Sequence, residues 1–237
     1  MTPTSKHSPG ADARAAARAG APSPRTRVRR GARRAVYDRA EIDAILDSTL
    51  VAHLGFTHES QVFVLPTLYA RIGGEVLVHG SSASRALRSL SAGDPACITV
   101  TQIDGLVLAR SVFEHSVNYR SVVLLGALRL VEDEEEKRAA LEAFTERLLP
   151  GRWQEARRPT RQELKATRIL AMPISEASAK VRTGPPDDGT SPDGDLPVWA
   201  GVIPLSTTAG EPVPDPLLRD GVPLDGSIQR FFDRVRE

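Results

Sequence analysis

Cysteine is almost missing from this 237-residue chain. Cys97 stands alone, which excludes an intramolecular disulfide and any zinc cluster built on cysteine. It lies in the apolar run Ala96-Cys-Ile-Thr-Val100, where inert burial is favoured over a nucleophilic role. Aromatic residues are scarce too, at 5% against 41% hydrophobic overall, so the core must be aliphatic. No stretch approaches the roughly 20 apolar residues that span a bilayer, and no membrane partner is expected. His53, His58 and His115 have no metal-ligand spacing, so no metal is assigned. A Gly-x-Ser-x-Gly elbow and a Walker loop are both lacking, which argues against a serine hydrolase and a P-loop nucleotidase.

What is present is unevenly charged. The formal net charge is +1, yet residues 1–34 carry one lysine and eight arginines against the single acid Asp12. The remainder is therefore mildly acidic. The basic segment is rich in Ala, Arg, Pro and Ser and poor in large apolar side chains, so it is expected to form a disordered tail. A solvated extension is favoured over a nucleic-acid contact, given the acidic body. Its arginine pairs precede no apolar run, so a secretory signal is not expected, and the default location is the cytoplasm.

Order begins after the tail. Asp38 with Glu41 reads as a capping box for a helix over about 39–48. Strand-like runs at 50–56, 61–72 and 75–80 are separated by Thr-His-Glu-Ser and Gly-Gly turns, as in an antiparallel meander. A short helix at 84–93 is expected to end at Gly93. Strands follow at 96–113, with a turn at Asp104-Gly105, and at 119–133. Helices at 133–148 and about 160–166 and a strand at 166–175 complete the pattern. The fold class is mainly β: a β-barrel with flanking helices. Three regions are expected: the tail 1–34, the barrel 35–180, and a loop-rich arm 181–237 packing on the barrel.

The stretch His79-Gly-Ser-Ser-Ala-Ser-Arg85 concentrates hydrogen-bond donors where a strand turns into a helix. One reading is an anion site of backbone amides, the hydroxyls of Ser81, Ser82 and Ser84, and the Arg85 fork. The other is plain helix capping with Arg85 solvated. A second polar cluster, Asn118, Tyr119, Arg120 and Ser121, opens a later strand. Arg120 either joins Arg85 around a dianionic phosphate or pairs with a nearby acid such as Glu114. His79, at a strand end, is either structural or catalytic.

Four blocks taken together resemble the pyridoxamine 5′-phosphate oxidase-like flavin-binding proteins, in particular the branch that includes the nitroimidazole-resistance proteins. They are residues 64–71, 77–85, 104–126 and 134–153. The resemblance implies an FMN-binding split β-barrel that homodimerises, with cofactor at the subunit interface. It implies that Pro66, Thr67 and Leu68 border the isoalloxazine ring. Ser81, Ser82, Ser84 and Arg85 would hold the phosphate, with Asn118, Arg120 and Ser121 adding contacts. It also implies a functional His79 near the flavin and a pocket-lining Trp199. Two departures argue against pyridoxamine phosphate as substrate. Ala86 stands where the oxidases have a lysine, and their Arg-x-His signature is missing. The expected function is a flavin-dependent oxidoreductase acting on a small oxidised organic substrate, with NAD(P)H as a candidate donor. The alternative is a non-catalytic flavin- or haem-binding protein.

Overall fold

The computed structural model describes residues 20–236. Its strands are β1 (Ala35–Val36), β2 (Val51–His58), β3 (Gln61–Ile72), β4 (Glu75–Ser81), β5 (Pro95–Leu108), β6 (Ser116–Ala127), β7 (Arg129–Leu130), β8 (Thr167–Pro173), β9 (Ala177–Arg182) and β10 (Gly201–Pro204). The helices are α1 (Arg39–Asp47), α2 (Arg85–Leu90), α3 (Glu134–Leu148), α4 (Arg152–Glu155), α5 (Arg161–Ala166) and α6 (Gly226–Arg236).

All pairings are antiparallel, in the order β1-β9-β6-β5-β2-β3-β4-β8-β7, with β10 on β5. Only Leu128 separates β6 from β7, so the path returns to its start and the sheet closes into a barrel. β3 is the strand that splits it. It pairs with β2 from Gln61 to Leu68 but with β4 only from Tyr69 to Ile72. Below Tyr69 the two strands part, and one edge of β3 has no strand partner among the described residues.

Two cores hold this frame. Inside the barrel, Leu54, Tyr69, Val78, Ile98, Leu124 and Met172 are almost wholly buried, each aliphatic one contributing about 1.5–3 kcal/mol. Outside it, Ala70, Leu77, Ile169 and Ala171 meet Ala140 and Phe144 of α3. Local signals set the helix starts. Asp38, Asp133 and Thr160 each accept a hydrogen bond from the amide three residues on, worth about 1 kcal/mol apiece.

Three expectations change. Asp104-Gly105 is not a turn. β5 runs straight through it with a register shift between Ile103 and Gly105. A Cβ on Gly105 would lie 3.0 Å from the Ile203 carbonyl oxygen, so this glycine is what lets β10 approach. The tail expected over 1–34 is divided: residues 1–19 lie outside the described residues, whereas 20–34 follow the barrel. There Thr26 is buried, the Val28 amide donates to the Tyr37 hydroxyl at 2.8 Å, and Arg25 pairs with Glu176. Specific polar contacts replace the apolar burial that this segment lacks. The arm is fastened at three places: Asp188 in its 183–195 loop accepts from the Arg110 and Ser111 amides, β10 lies on β5, and α6 docks on α4, while residues 205–224 are all exposed.

Candidate functional site

The place where β3 and β4 part organises the polar residues. His79 is the first β4 residue beyond the last β3–β4 pair, Tyr69–Val78. Side chains alternate along a strand, so His79 shares the outward face with Leu77. Helix α3 covers that face. The imidazole packs on Phe144, with ring centroids 4.2 Å apart and planes tilted by 55°. Around it Leu68, Leu141, Phe144, Leu148 and Trp153 line a cleft of about 340 Å³, within the range of ligand pockets. Arg157 and Glu163 stand in the same lining, joined by two hydrogen bonds of 3.0 and 2.7 Å. Arg157, and then Thr160, hold the Glu163 carboxyl down at about 2. The Arg158 guanidinium lies over the Trp153 ring at 4.6 Å.

His79 is unsatisfied there. Its Nδ1 is buried with no hydrogen-bond partner, a state that costs about 1–3 kcal/mol. Burial pushes its pKa below the ordinary histidine value, so the ring is neutral at physiological pH.

A second cleft, of about 390 Å³, opens on the inward face of the β2–β3 hairpin. Phe56, His58, Gln61, Phe63, Leu65 and Arg85 are among its walls. Phe56 and Phe63 stack at 5.5 Å. The hairpin tip puts two non-glycine residues, Glu59 (φ 48°) and Ser60 (φ 63°), in the left-handed region, as a two-residue type I′ loop requires. Arg85 begins α2, is exposed, and makes no hydrogen bond or ion pair among the described residues. Gly80 lets α2 sit this close, since a Cβ there would lie 2.9 Å from a Leu87 methyl.

The serine turn is partly committed to itself. Ser84 Oγ accepts from the Leu87 amide at 3.4 Å and Ser81 Oγ from the Ala83 amide at 3.2 Å. The Ser82 amide donates to the Ala166 carbonyl at 2.8 Å. Capping therefore accounts for two of the three hydroxyls. α2 has only six residues, too few for its dipole to dominate. Arg85 and the Ser82 hydroxyl are the donors left over.

Pro66, Thr67 and Leu68 lie on the segment of β3 that borders the split. The Tyr69 amide is used on the Leu50 carbonyl. Ladder alternation therefore aims the Leu68 amide at the open edge. Further along the same strand Val62, Val64 and Leu65 are exposed.

The other expected residues are elsewhere. Arg120 makes a two-pronged pair with Asp104, at 3.0 and 2.8 Å, not with Glu114. Phe56, which shares the Arg85 cleft, is in register with Ala96 and Gly126. Arg120 is six residues further along β6, roughly 20 Å away. One chain does not bring Arg85 and Arg120 together. Buried Asn118 donates to the Gly184 carbonyl at 3.1 Å and accepts from Arg182, and Ser121 donates to the Lys180 carbonyl at 3.3 Å. Trp199 is 64% exposed, leaning over Gly201. Sequence reasoning missed Phe144, Leu148 and Trp153. The spacing of Leu141, Phe144 and Leu148 along one face of α3 was the available signal.

Residues 38–181 match the pyridoxamine 5′-phosphate oxidase family. The chain belongs to that family. No curated protein sequence matches it. Among solved structures it is similar to a flavocytochrome from Azotobacter vinelandii, with 42% identity, a TM-score of 0.85, and coverage of 90% of this chain and 98% of that one. It is also similar to an FAD- and haem-binding protein from Mycobacterium smegmatis, with 39% identity, a TM-score of 0.79, and coverage of 83% and 96%. A Bacteroides thetaiotaomicron protein assigned to 5-nitroimidazole antibiotic resistance shares the fold alone, at 20% identity, a TM-score of 0.53, and coverage of 62% and 86%. For this member of the family, the split barrel and the blocks that suggested it are thereby established. No helix among the described residues is long and apolar enough to cross a membrane.

Proposed function

We propose that the protein is a flavin-binding redox protein. The isoalloxazine ring lies against Pro66, Thr67 and Leu68, and Arg85 with Ser82 holds the phosphate. The observation that carries this is the free Arg85 guanidinium beside an apolar strand with an open edge. A flavin needs those three things: a flat apolar support, a backbone donor for the reduced ring's negative charge, and a cation for the phosphate. When bound, it supplies the electron or hydride transfer. The chain orients the ring through β3, directs the Leu68 amide towards it, and anchors its tail through Arg85. FMN is the smallest nucleotide this arrangement suits. The Mycobacterium smegmatis relative, named for FAD, favours the larger one. A small oxidised organic substrate with NAD(P)H as donor remains the reading for turnover.

Haem is favoured as a second cofactor, because both relatives near 40% identity carry it in name, one as a flavocytochrome and one as a haem-binding protein. The α3-covered cleft has the matching chemistry: apolar walls and a neutral imidazole lacking a partner.

We also read the protein as a homodimer whose flavin site is shared. Val62, Val64, Val112 and Phe113 are 68%, 61%, 87% and 90% exposed, a degree of apolar exposure that marks an interface.

The absorption spectrum of the purified chain tests the assignment, and chromatography of the heat-released nucleotide separates FMN from FAD. Arg85→Ala should weaken flavin binding by about 1.5–3 kcal/mol, the scale of hydrogen bonds to a charged group. A fluorescence-quenching titration with unchanged affinity would refute the phosphate assignment.

A further inference from the structure

We propose that the cleft between β4 and α3 is the haem site, and that the imidazole of His79 would ligate its iron. The inference rests on the haem reading above and adds a place and a ligand to it. Haem is a flat apolar macrocycle that needs a slot with apolar walls, a neutral nitrogen for the metal, and cationic or polar company for its propionates.

The cleft supplies each in turn. Leu68, Leu141, Phe144, Leu148 and Trp153 form the walls. Arg157 is in the lining, its fork already held in place by Glu163. His79 lines the cleft with its ring fixed against Phe144, and its Nδ1 is sealed in, which leaves Nε2 as the nitrogen open to the iron. Strand β4 fixes the backbone beneath it through the pairing of His79 with Ile169.

The other histidines of the described chain are poorer candidates. His115 Nδ1 is engaged with the Ser111 carbonyl at 3.0 Å, His58 stands beside the Glu59 carboxylate at 3.9 Å, and His53 is exposed on β2. The two sulfur donors among the described residues are also excluded. Met172 is wholly buried in the barrel core, and Cys97 lies against Thr99 at 3.5 Å. His79 is therefore reassigned from flavin chemistry to metal ligation. Its place at the fork, next to Leu68 of the proposed flavin support, puts the two cofactors on adjoining surfaces.

The test uses the full chain titrated with hemin. Wild-type protein should give a sharp, shifted Soret band and the magnetic circular dichroism of histidine ligation. His79→Ala should lose at least tenfold in hemin affinity and change both spectra, and added imidazole should restore them. His79→Phe keeps an aromatic ring against Phe144, so it removes the ligand without emptying the wall. Its flavin content should match the wild type and its melting temperature should be no lower, while the histidine signature is absent. A folded His79→Phe protein with the wild-type Soret band would overturn the ligand assignment and leave the haem reading standing. Wild-type protein that takes up flavin but no hemin would overturn the haem reading and this inference with it.

Discussion

Two arginines of the same sequence type end in opposite circumstances, and their partners decide what each can do. Arg120 is shared out at once: its Nε and Nη2 both donate to Asp104, and its pKa is raised, first by that hydrogen bond. Arg85 has no such claim on it. The sequence placed both arginines beside polar residues at strand ends. It could not reveal that the β5 bulge turns Asp104 towards Arg120. The pair is half exposed (34% and 29% for the two side chains), so its worth is that of a surface ion pair. Arg120→Ala should lower stability in urea by about 0.5–1 kcal/mol, and Asp104→Ala by a similar amount. The double variant should lose no more than either alone, since both changes remove one interaction. Additive losses would mean that Arg120 has another partner. His79 shows the same limit of sequence. Its position at a strand end was legible, but the α3 residues that bury it come from some 65 positions later in the chain.

At the scale of elements, legibility followed whether the signal was local. α1, α3 and α5 were visible because Asp38, Asp133 and Thr160 cap them within one turn. The β2–β3–β4 meander was visible because short turns divide alternating runs. β9 was not. Ala177–Arg182 carries little intrinsic strand preference and becomes a strand by pairing with β6. The short β10 and the docking of α6 depend on distant partners in the same way. A further long-range device, hidden in a loop dense with Pro, Gly and Asp, is Asp188. Its buried carboxylate accepts from the Ser111 amide at 3.1 Å, from the Arg110 amide and from the Arg110 side chain at 3.2 Å. This fastens the 183–195 loop to the β5–β6 connection. Burial alone would raise its pKa, but those two amides and the guanidinium outweigh it and hold it below the ordinary value. The sign is that of a depressed acid. Its stabilisation is complete above the unfolded-state pKa near 4 and is lost as pH falls through the lower folded value. Limited proteolysis across this range should show the 183–195 loop becoming cleavable at low pH. Asp188→Asn should be cleaved there already at pH 7, with β-sheet circular dichroism retained.

Across the whole molecule, one segment buries little apolar surface within a single chain. Residues 203–224 are exposed throughout, with Val213 and Leu217 at 90%, yet both ends are fastened. At one end β10 pairs with β5. At the other, Asp225 pairs with Arg152, and Ser227, wholly buried, donates to Glu155. Ordering some twenty residues costs about 1–2 kcal/mol each in backbone entropy, and this segment buries no apolar side chain in return. On the homodimer reading, a second copy would cover it, and the exposed Val112 and Phe113 give that copy an apolar surface to meet. On that reading, Phe113→Asp would place a charge in the contact. It should weaken dimerisation by about 2 kcal/mol or more, the loss of an interface anchor, seen as a shift to monomer in light scattering. Phe113 lines neither cleft of its own chain. If the flavin site is built by two copies, the monomeric variant must lose flavin as well, and its strap must become sensitive to protease. A monomer that keeps full flavin affinity would show instead that one barrel suffices, with Arg85 and the open edge of β3 forming the whole site.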